Sequence, residues 1–174
     1  HWRPRDTIVF RTWDVATFDF GIKDTEVWIN TDAAFTTIIW GKDKNILWAK
    51  LIQANKNALY AGIKQARAWN RVWDISAAIE KEAVQAGFKI LKDLTGHWIG
   101  YTLHEKPYIP NSGKPWTWAK LKAWMTVAIE PILAVSTEKI ADKWDWEIFT
   151  SDWSLWSQYE HTILITDGDP EIII

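Results

Sequence analysis

The order of hydrophobic patterns along the chain is the feature that most limits its fold. Two segments with alternating polarity, residues 14–22 and 27–39, flank a polar turn at residues 23–26 and predict a β-hairpin. Apolar residues recur at helical spacing over residues 45–66, and a second helix is predicted to begin with Asp74 as its N-cap. Only short strands are expected after that helix. The chain therefore lacks the regular strand–helix alternation of a doubly wound sheet and is predicted to be α+β.

The remaining predicted elements are short. Gly87 is expected to end the second helix, because glycine is favoured just after a helix C-terminus. A segment containing three prolines, residues 106–122, is predicted to be a loop. Short apolar stretches indicate further strands at residues 88–91, 125–129, 147–150 and 161–166.

Composition excludes several classes of protein. A length of 174 residues and a hydrophobic fraction of 48% predict one globular domain with a sizeable core. The formal net charge of -2 provides no basic field for nucleic acid or an anionic membrane. The most apolar stretch, residues 126–135, is interrupted by Glu130 and Pro131 and is too short to span a membrane. No membrane segment and no signal peptide are expected, and the absence of cysteine excludes thiolate zinc sites and suits a reducing compartment.

Four acidic residues and one histidine stand in positions that suit a metal site. Asp19 and Asp32 lie on the two strands of the predicted hairpin, where paired side chains approach to about 5 Å. His97 lies between turn-forming glycine signals, Glu130 follows an apolar strand, and Glu160 precedes another. Burying carboxylates in such apolar surroundings is costly unless they are paired or bind metal. Carboxylates and an imidazole together suit two adjacent divalent ions with oxygen and nitrogen ligands.

Several short motifs that follow one another along the chain relate these residues to a known family. The chain resembles the type I methionine aminopeptidases, whose GHGIG, HEEP, IEP and QFEHT motifs are similar to residues 95–100 (TGHWIG), 103–107 (LHEKP), 128–131 (AIEP) and 158–162 (QYEHT). The beginning of the chain fits as well, because residues 1–4 (HWRP) resemble the HGIP motif and residues 13–19 (WDVATFD) resemble the GD.V..D strand. The resemblance covers essentially the whole chain. It implies the pseudo-twofold pita-bread fold, with residues 1–174 as one catalytic domain and the family's N-terminal segment expected before His1.

The resemblance also implies a set of metal ligands for two divalent ions, whether cobalt, manganese, iron or zinc. Transferred position by position, the ligands are Asp19, Asp32, His97, Glu130 and Glu160.

One ligand assignment has an alternative. The interval between Asp19 and Asp32 is longer than in the family. Asp32 aligns with the family's ligand when two extra residues are placed in the hairpin turn. An alignment without that gap would place Asn30 there as a neutral and weaker ligand. Asp32 is the preferred assignment.

Further roles follow from the same resemblance. Glu130 would serve as general base as well as ligand, and His104 would donate a hydrogen bond to the substrate carbonyl oxygen. His1 would lie near the peptide nitrogen. Leu103 and Trp146 would line the methionine pocket, where Leu103 replaces the common phenylalanine of the family.

The implied activity is removal of the initiator methionine from new proteins. The expected substrates are N-terminal methionine peptides and nascent chains, with the ribosome as a further candidate partner and a monomer in the cytoplasm as the expected state. Two alternatives stay open. The first is another pita-bread peptidase of the prolidase or aminopeptidase P type, and the second is an inactive pita-bread protein that binds partners.

Tryptophan is unusually common, with 15 residues against 8 glycines. Eleven tryptophans stand where the family's pattern has glycine, and glycine usually serves positive φ or close backbone approach. We hypothesise that the natural protein carries glycine there, encoded by UGA codons that are translated as tryptophan, so that eleven more glycines would make 19. The competing hypothesis is an inactive or misfolded variant with real tryptophans. The positions are Trp2, Trp13, Trp28, Trp40, Trp69, Trp73, Trp98, Trp116, Trp118, Trp124 and Trp153.

Overall fold

The computed structural model describes residues 5–40, 45–142 and 147–174. Its two helices are α1 (Ile46–Ile63) and α2 (Val72–Gln85), and both precede most of the strands, in agreement with an α+β chain. The strands of the described residues are β1 (Val15–Lys23), β2 (Asn30–Ile38), β3 (Lys89–Ile90), β4 (Thr95–Trp98), β5 (Glu105–Pro110), β6 (Thr126–Ile129), β7 (Ile132–Ala134), β8 (Ile140–Asp142), β9 (Ile148–Thr150), β10 (Trp156–Leu164) and β11 (Glu171–Ile172).

The first two strands form the predicted antiparallel hairpin. The second strand begins at Asn30, three residues later than the hydrophobic alternation predicted. A longer turn accounts for the difference, because the Asp24 carboxylate accepts hydrogen bonds from the backbone N–H groups of Glu26 and Val27. A side chain that satisfies backbone donors in this way favours a turn over a strand.

Both predicted helices are present. Asn45 caps α1, because its side-chain oxygen accepts from the N–H groups of Leu47 and Trp48. The prediction that Asp74 caps α2 is wrong. Arg71 is the N-cap, and the Asp74 carboxylate, in the first turn, accepts from the Arg71 N–H at 2.8 Å. Neither helix of the described residues is long and apolar enough to cross a membrane.

The strands form one nine-stranded sheet and a separate β8–β9 pair. The order in the large sheet is β1-β2-β10-β6-β4-β5, with β7 and β11 paired to β10 and β3 paired to β7. Leu59 of α1, Ile79 of α2 and Ile163 of β10 belong to one buried cluster, so the helices cover one face of the sheet. Tyr159 packs against the same cluster. Since successive side chains of a strand alternate between faces, Glu160 points to the face away from the helices.

Two strands lie where turns and a loop were predicted. The strand β4 contains Gly96, where an added Cβ would collide with the backbone oxygen of Ala128 in β6. Its neighbour β5 contains Pro107 and Pro110 and forms the edge of the sheet. Proline has no backbone N–H to donate, and an edge strand tolerates this because only one of its sides is paired. The proline-rich segment was therefore wrongly predicted to be entirely loop. The central strand β10 also begins at Trp156, before the predicted start at residue 161.

Eight tryptophans have a left-handed backbone, with φ between 43° and 83°. Among the described residues, every non-glycine residue with positive φ is a tryptophan. At about 1–2 kcal/mol each for a residue with a Cβ, the combined strain rivals the roughly 5–15 kcal/mol that stabilises a whole domain. The eight are Trp13, Trp28, Trp40, Trp69, Trp116, Trp118, Trp124 and Trp153.

Candidate metal centre

Three neighbouring strands carry carboxylates on the face of the sheet away from the helices. Ala34 of β2 lies opposite both Asp19 of β1 and Glu160 of β10. Asp32 is two residues from Ala34 and therefore lies on the same face. Because alanine has only a methyl side chain, it leaves open space between the two acidic residues that flank it. The register of β1, β2 and β10 thus gathers three carboxylates.

The other side of the cluster comes from β4 and the end of β6. His97 of β4 pairs with Ala128, and Glu130 follows directly after the last residue of β6. The Nε2 atom of His97 lies 3.6 Å from Glu130 Oε1 and 3.9 Å from Asp32 Oδ2. Five strands of one sheet therefore bring one imidazole and four carboxylates to one place.

Groups of three residues in this cluster have the geometry to hold a metal ion. Within each group, one ligand atom from every residue lies within 4.8 Å of the others. Glu160 belongs to two of the groups, so its carboxylate could help to hold both of two adjacent ions. The three groups are His97 with Glu130 and Glu160, Asp19 with Asp32 and Glu160, and Asp32 with His97 and His104.

The orientation of the His97 ring is suited to binding a cation. Its Nδ1 atom lies 3.0 Å from the backbone oxygen of Trp98. A carbonyl oxygen can only accept, so Nδ1 carries the proton of the neutral ring and Nε2 presents a lone pair to the carboxylates. Burial lowers the pKa of His97, which keeps the ring neutral.

Burial and mutual repulsion raise the pKa values of the carboxylates. Desolvation, followed by the charge of Asp19, raises the pKa of Asp32 to about 6. Burial also raises the pKa of Asp19, and it raises the pKa values of Glu130 and Glu160 well above their usual range, with repulsion from the neighbouring carboxylates adding to the effect. Such groups are costly as anions unless a cation accompanies them.

Buried polar atoms test whether this cluster fits a metal. Among the described residues, Asp32 Oδ1, His97 Nε2 and Glu160 Oε1 are buried side-chain atoms without a hydrogen-bond partner. Buried polar atoms are normally hydrogen-bonded, so three unpartnered atoms in the residues of one cluster require an explanation. Carboxylate oxygens with one imidazole nitrogen form a set of ligands that divalent transition metals accept. The residues therefore fit divalent cations.

The other predicted site residues lie around this cluster or outside the described residues. The exposed His104 ring lies across from His97, with the ring centroids 4.5 Å apart. Leu103 is half-buried over the hairpin, where a Cβ added to Gly21 would lie 2.8 Å from Leu103 Cδ1. His1 and Trp146 lie outside the described residues.

The two alternatives for the hairpin ligand have different surroundings. The Asn30 amide donates a hydrogen bond to the Gly100 carbonyl at 2.8 Å, so this side chain has a structural partner. Asp32 instead belongs to two of the three-residue groups. This geometry favours Asp32.

Two buried amides beside the cluster were not predicted to contribute. Gln158 Nε2 lies 3.2 Å from Asp19 Oδ2 and 3.4 Å from Glu130 Oε2. Asn111 Nδ2 donates to the Glu130 backbone carbonyl at 3.1 Å. Gln158 could have been found in the sequence, because it is two residues from Glu160 in a strand and so shares its face. The proline-rich surroundings of Asn111 offered no such signal.

Comparison with known proteins assigns the family. The model of metallopeptidase family M24 matches residues 1–167. This chain belongs to that family. Membership of family M24 implies the use of divalent metal ions.

Several methionine aminopeptidases are similar to this chain. A methionine aminopeptidase of Mycoplasma capricolum is 37% identical over 99% of this chain and 68% of its own length. One from Clostridium acetobutylicum is 39% identical over 72% of this chain and 50% of its own length. The crystal structure of the Thermotoga maritima methionine aminopeptidase matches this chain with a TM-score of 0.87 and 34% sequence identity. The match covers 94% of this chain and 65% of the Thermotoga maritima chain. The resemblance identified in the sequence is confirmed, and the chain spans between half and about two thirds of the length of these relatives.

More distant solved structures share the fold alone. A dipeptidase PepE from Mycobacterium ulcerans is 22% identical with a TM-score of 0.69, and a prolidase from Pyrococcus horikoshii is 18% identical with a TM-score of 0.67. The pita-bread fold expected for this α+β chain is therefore confirmed, and similarity at higher identity favours the methionine aminopeptidases over the prolidases.

Proposed function

We propose that this protein is a metal-dependent aminopeptidase that removes the N-terminal methionine from peptides and nascent chains. The observation that carries the proposal is the convergence of His97 and four carboxylates in a chain of the M24 family. Identity of 37% to a methionine aminopeptidase over nearly the whole chain supports the choice of substrate.

The proposed site holds two divalent ions. One would be held by Asp19, Asp32 and Glu160, and the other by His97, Glu130 and Glu160, because these two groups share a carboxylate. Bound ions would lower the pKa of a water molecule to near neutrality and polarise the carbonyl of the peptide bond. The number of ions and their identity as cobalt, manganese, iron or zinc are part of the proposal.

The chain's own residues would bind substrate and move protons. Glu130 lies inside the cluster with a raised pKa, which suits a general base that takes a proton and later returns it. His104 stands exposed at the edge of the cluster and would donate a hydrogen bond to the substrate carbonyl oxygen. Leu103, together with Trp146, would line the methionine pocket, and His1 would lie near the peptide nitrogen.

Partners and location belong to the same proposal. Methionine-bearing peptides and nascent chains would be the substrates, and the ribosome is a further candidate partner. A monomer in the cytoplasm is the proposed state, and neither nucleic acid nor a membrane is a proposed partner.

A substrate comparison tests the proposal. The manganese- or cobalt-loaded protein should release methionine from a Met-Ala-Ser peptide, should leave an Ala-Pro peptide intact, and should lose activity when a chelator is added. Glu130→Gln should lower kcat by about a hundredfold or more, because the general base is lost. Glu138→Gln is the matched control, since Glu138 pairs with Lys92 at the surface.

Each alternative predicts a different result. Preferential cleavage of the Ala-Pro peptide would indicate an enzyme of the prolidase or aminopeptidase P type. Failure to bind any divalent metal, with no cleavage of either peptide, would indicate a pita-bread protein that only binds partners.

A further inference from the structure

Gln158 lies between carboxylates that come from different elements. Its side chain is fully buried in β10, two residues before Glu160 and on the same face. The amide nitrogen Nε2 lies 3.2 Å from Asp19 Oδ2 in β1 and 3.4 Å from Glu130 Oε2 at the end of β6. An amide NH2 group has two hydrogens, so it can donate to both carboxylates at once.

The backbone of Gln158 is held from the neighbouring strand. The Thr36 hydroxyl accepts from the Gln158 N–H at 2.9 Å and donates to the Gln158 carbonyl at 3.0 Å. Because these atoms are buried, the two bonds fix the backbone position from which the amide reaches the carboxylates.

The two carboxylates that Gln158 contacts belong to different metal-binding groups. Asp19 belongs to the group with Asp32 and Glu160. Glu130 belongs to the group with His97 and Glu160. A neutral amide adds no charge to a crowded anionic cluster, and its hydrogen bonds still favour the ionised carboxylates that a cation requires. We propose that Gln158 is a positioning residue that sets Asp19 and Glu130 relative to each other, so that both cation positions form together. The proposal rests on the proposed two-metal site and is independent of which peptide bond is cleaved.

Titration with Mn²⁺ tests the role of Gln158. Gln158→Met keeps the length of the side chain but removes the donor, and Gln158→Asn keeps a buried amide but withdraws it from both carboxylates. Either folded variant should bind Mn²⁺ at least about tenfold more weakly by calorimetry, as is usual when a residue that orients metal ligands is lost. The electron paramagnetic resonance spectrum should change from that of a coupled ion pair to that of single ions.

A surface glutamine provides the control. Gln53 donates to Asn57 on the exposed side of α1, so Gln53→Met should leave Mn²⁺ affinity and spectrum unchanged. Parent-like affinity and an unchanged pair spectrum in a folded Gln158 variant would overturn this inference and leave the proposed function intact. A parent protein that binds no Mn²⁺ would overturn both.

A second inference rests on the backbone at the tryptophans. The eight with positive φ are all exposed, whereas the four other described tryptophans, at positions 48, 73, 98 and 156, are half-buried and lack positive φ. Tryptophan is a highly buried residue on average, and positive φ is the conformation that glycine adopts without steric cost. The sign of φ and the exposure of the side chain therefore divide the twelve described tryptophans into the same two groups.

We infer that the natural protein carries glycine at these eight positions. The backbone supports the hypothesis at eight of the eleven positions that the sequence indicated. Trp73 and Trp98 have no positive φ to support it, and Trp2 lies outside the described residues.

Codons and peptide masses test the inference directly. Peptides of the protein from its natural source should have masses that correspond to glycine at the eight positions, with UGA as the codon at each. A purified variant with eight glycines should unfold at a higher temperature than the tryptophan chain. The matched controls Trp48→Gly and Trp156→Gly should each lower that temperature, since both side chains pack against buried clusters. UGG at all eight codons, with peptide masses that correspond to tryptophan, would overturn the inference.

Discussion

At the scale of single residues, the cluster is defined by a conflict between burial and charge. Asp32 is only 6% exposed, and Glu160 only 2%. Neighbouring carboxylates repel one another in a medium that screens charge poorly, so protonation or a bound cation must relieve the repulsion. The same residues that would bind metal therefore make stability depend on pH when metal is absent.

We predict that the chelator-treated protein becomes less stable as the pH rises from about 4 to about 6. Folding raises the pKa of Asp32 from 3.8 to about 6, so the folded state binds more protons than the unfolded chain in this interval. The contribution of Asp32 to stability is complete at pH values below its pKa in the unfolded chain, and it is lost as the pH rises through its pKa in the folded state. A shift of about two units corresponds to roughly 3 kcal/mol in the free energy of unfolding.

Urea denaturation at several pH values measures this effect. Asp32→Asn removes the titrating group and should flatten the decline over the same interval, although Glu130 and Glu160 keep part of it at higher pH. A parent protein whose stability instead increases across this interval would show that Asp32 is ionised and paired in the folded state.

At the scale of elements, the contact between β2 and β10 is secured by side chains. The ladder between these strands has two residue pairs, Tyr159 with Phe35 and Glu160 with Ala34. On one side of the ladder, the buried Thr162 hydroxyl accepts from the Asp32 N–H and donates to the Asp32 carbonyl, both at 2.8 Å. This threonine therefore completes the strand contact that holds Asp32 beside Glu160.

We predict that Thr162→Val destabilises the fold by about 1–3 kcal/mol. Valine has a similar shape but leaves the buried N–H and carbonyl of Asp32 without partners. Chemical denaturation measures the loss, and Thr117→Val is the control, because the Thr117 hydroxyl bonds to the Lys114 carbonyl at the exposed surface. Equal, small effects of both substitutions would show that the hydroxyl of Thr162 contributes little to this contact.

At the scale of the whole molecule, the cluster joins parts of the chain that are far apart in sequence. Its residues come from β1, β2, β4, the end of β6 and β10. A cation bound there would link the N-terminal hairpin to the C-terminal half of the sheet. Binding that occurs only in the folded state stabilises that state.

We predict that Mn²⁺ at about 100 times its dissociation constant stabilises the fold by about 2.7 kcal/mol. For a chain of this length, that corresponds to a rise in Tm of roughly 5–10 °C. Differential scanning calorimetry with and without Mn²⁺ measures the change. His97→Ala combined with Glu160→Gln should abolish the rise, whereas Asp152→Asn, at an exposed turn, should preserve it. A similar rise in the double variant would place the binding elsewhere.

Local sequence determined the hairpin, both helices and the types of residue at the cluster. These features follow from hydrophobic periodicity and from motifs that extend over a few residues, so they can be recognised without long-range contacts. Residue order also carried the family resemblance, since His97, His104 and the carboxylates other than Asp32 each occur within a short characteristic motif. The boundaries were less accurate, as the N-cap of α2 shows, because Asp74 can stabilise a helix start from more than one position.

Only the tertiary structure decided which distant residues meet. The register that places Ala34 opposite Glu160, and the reach of Gln158 to Asp19, both join residues that are more than a hundred positions apart in the sequence. The edge position of β5 likewise permits a strand that contains Pro107 and Pro110. Local patterns record which residues favour a strand or a turn, whereas neighbours in a sheet are selected by the packing and hydrogen bonding of the complete fold.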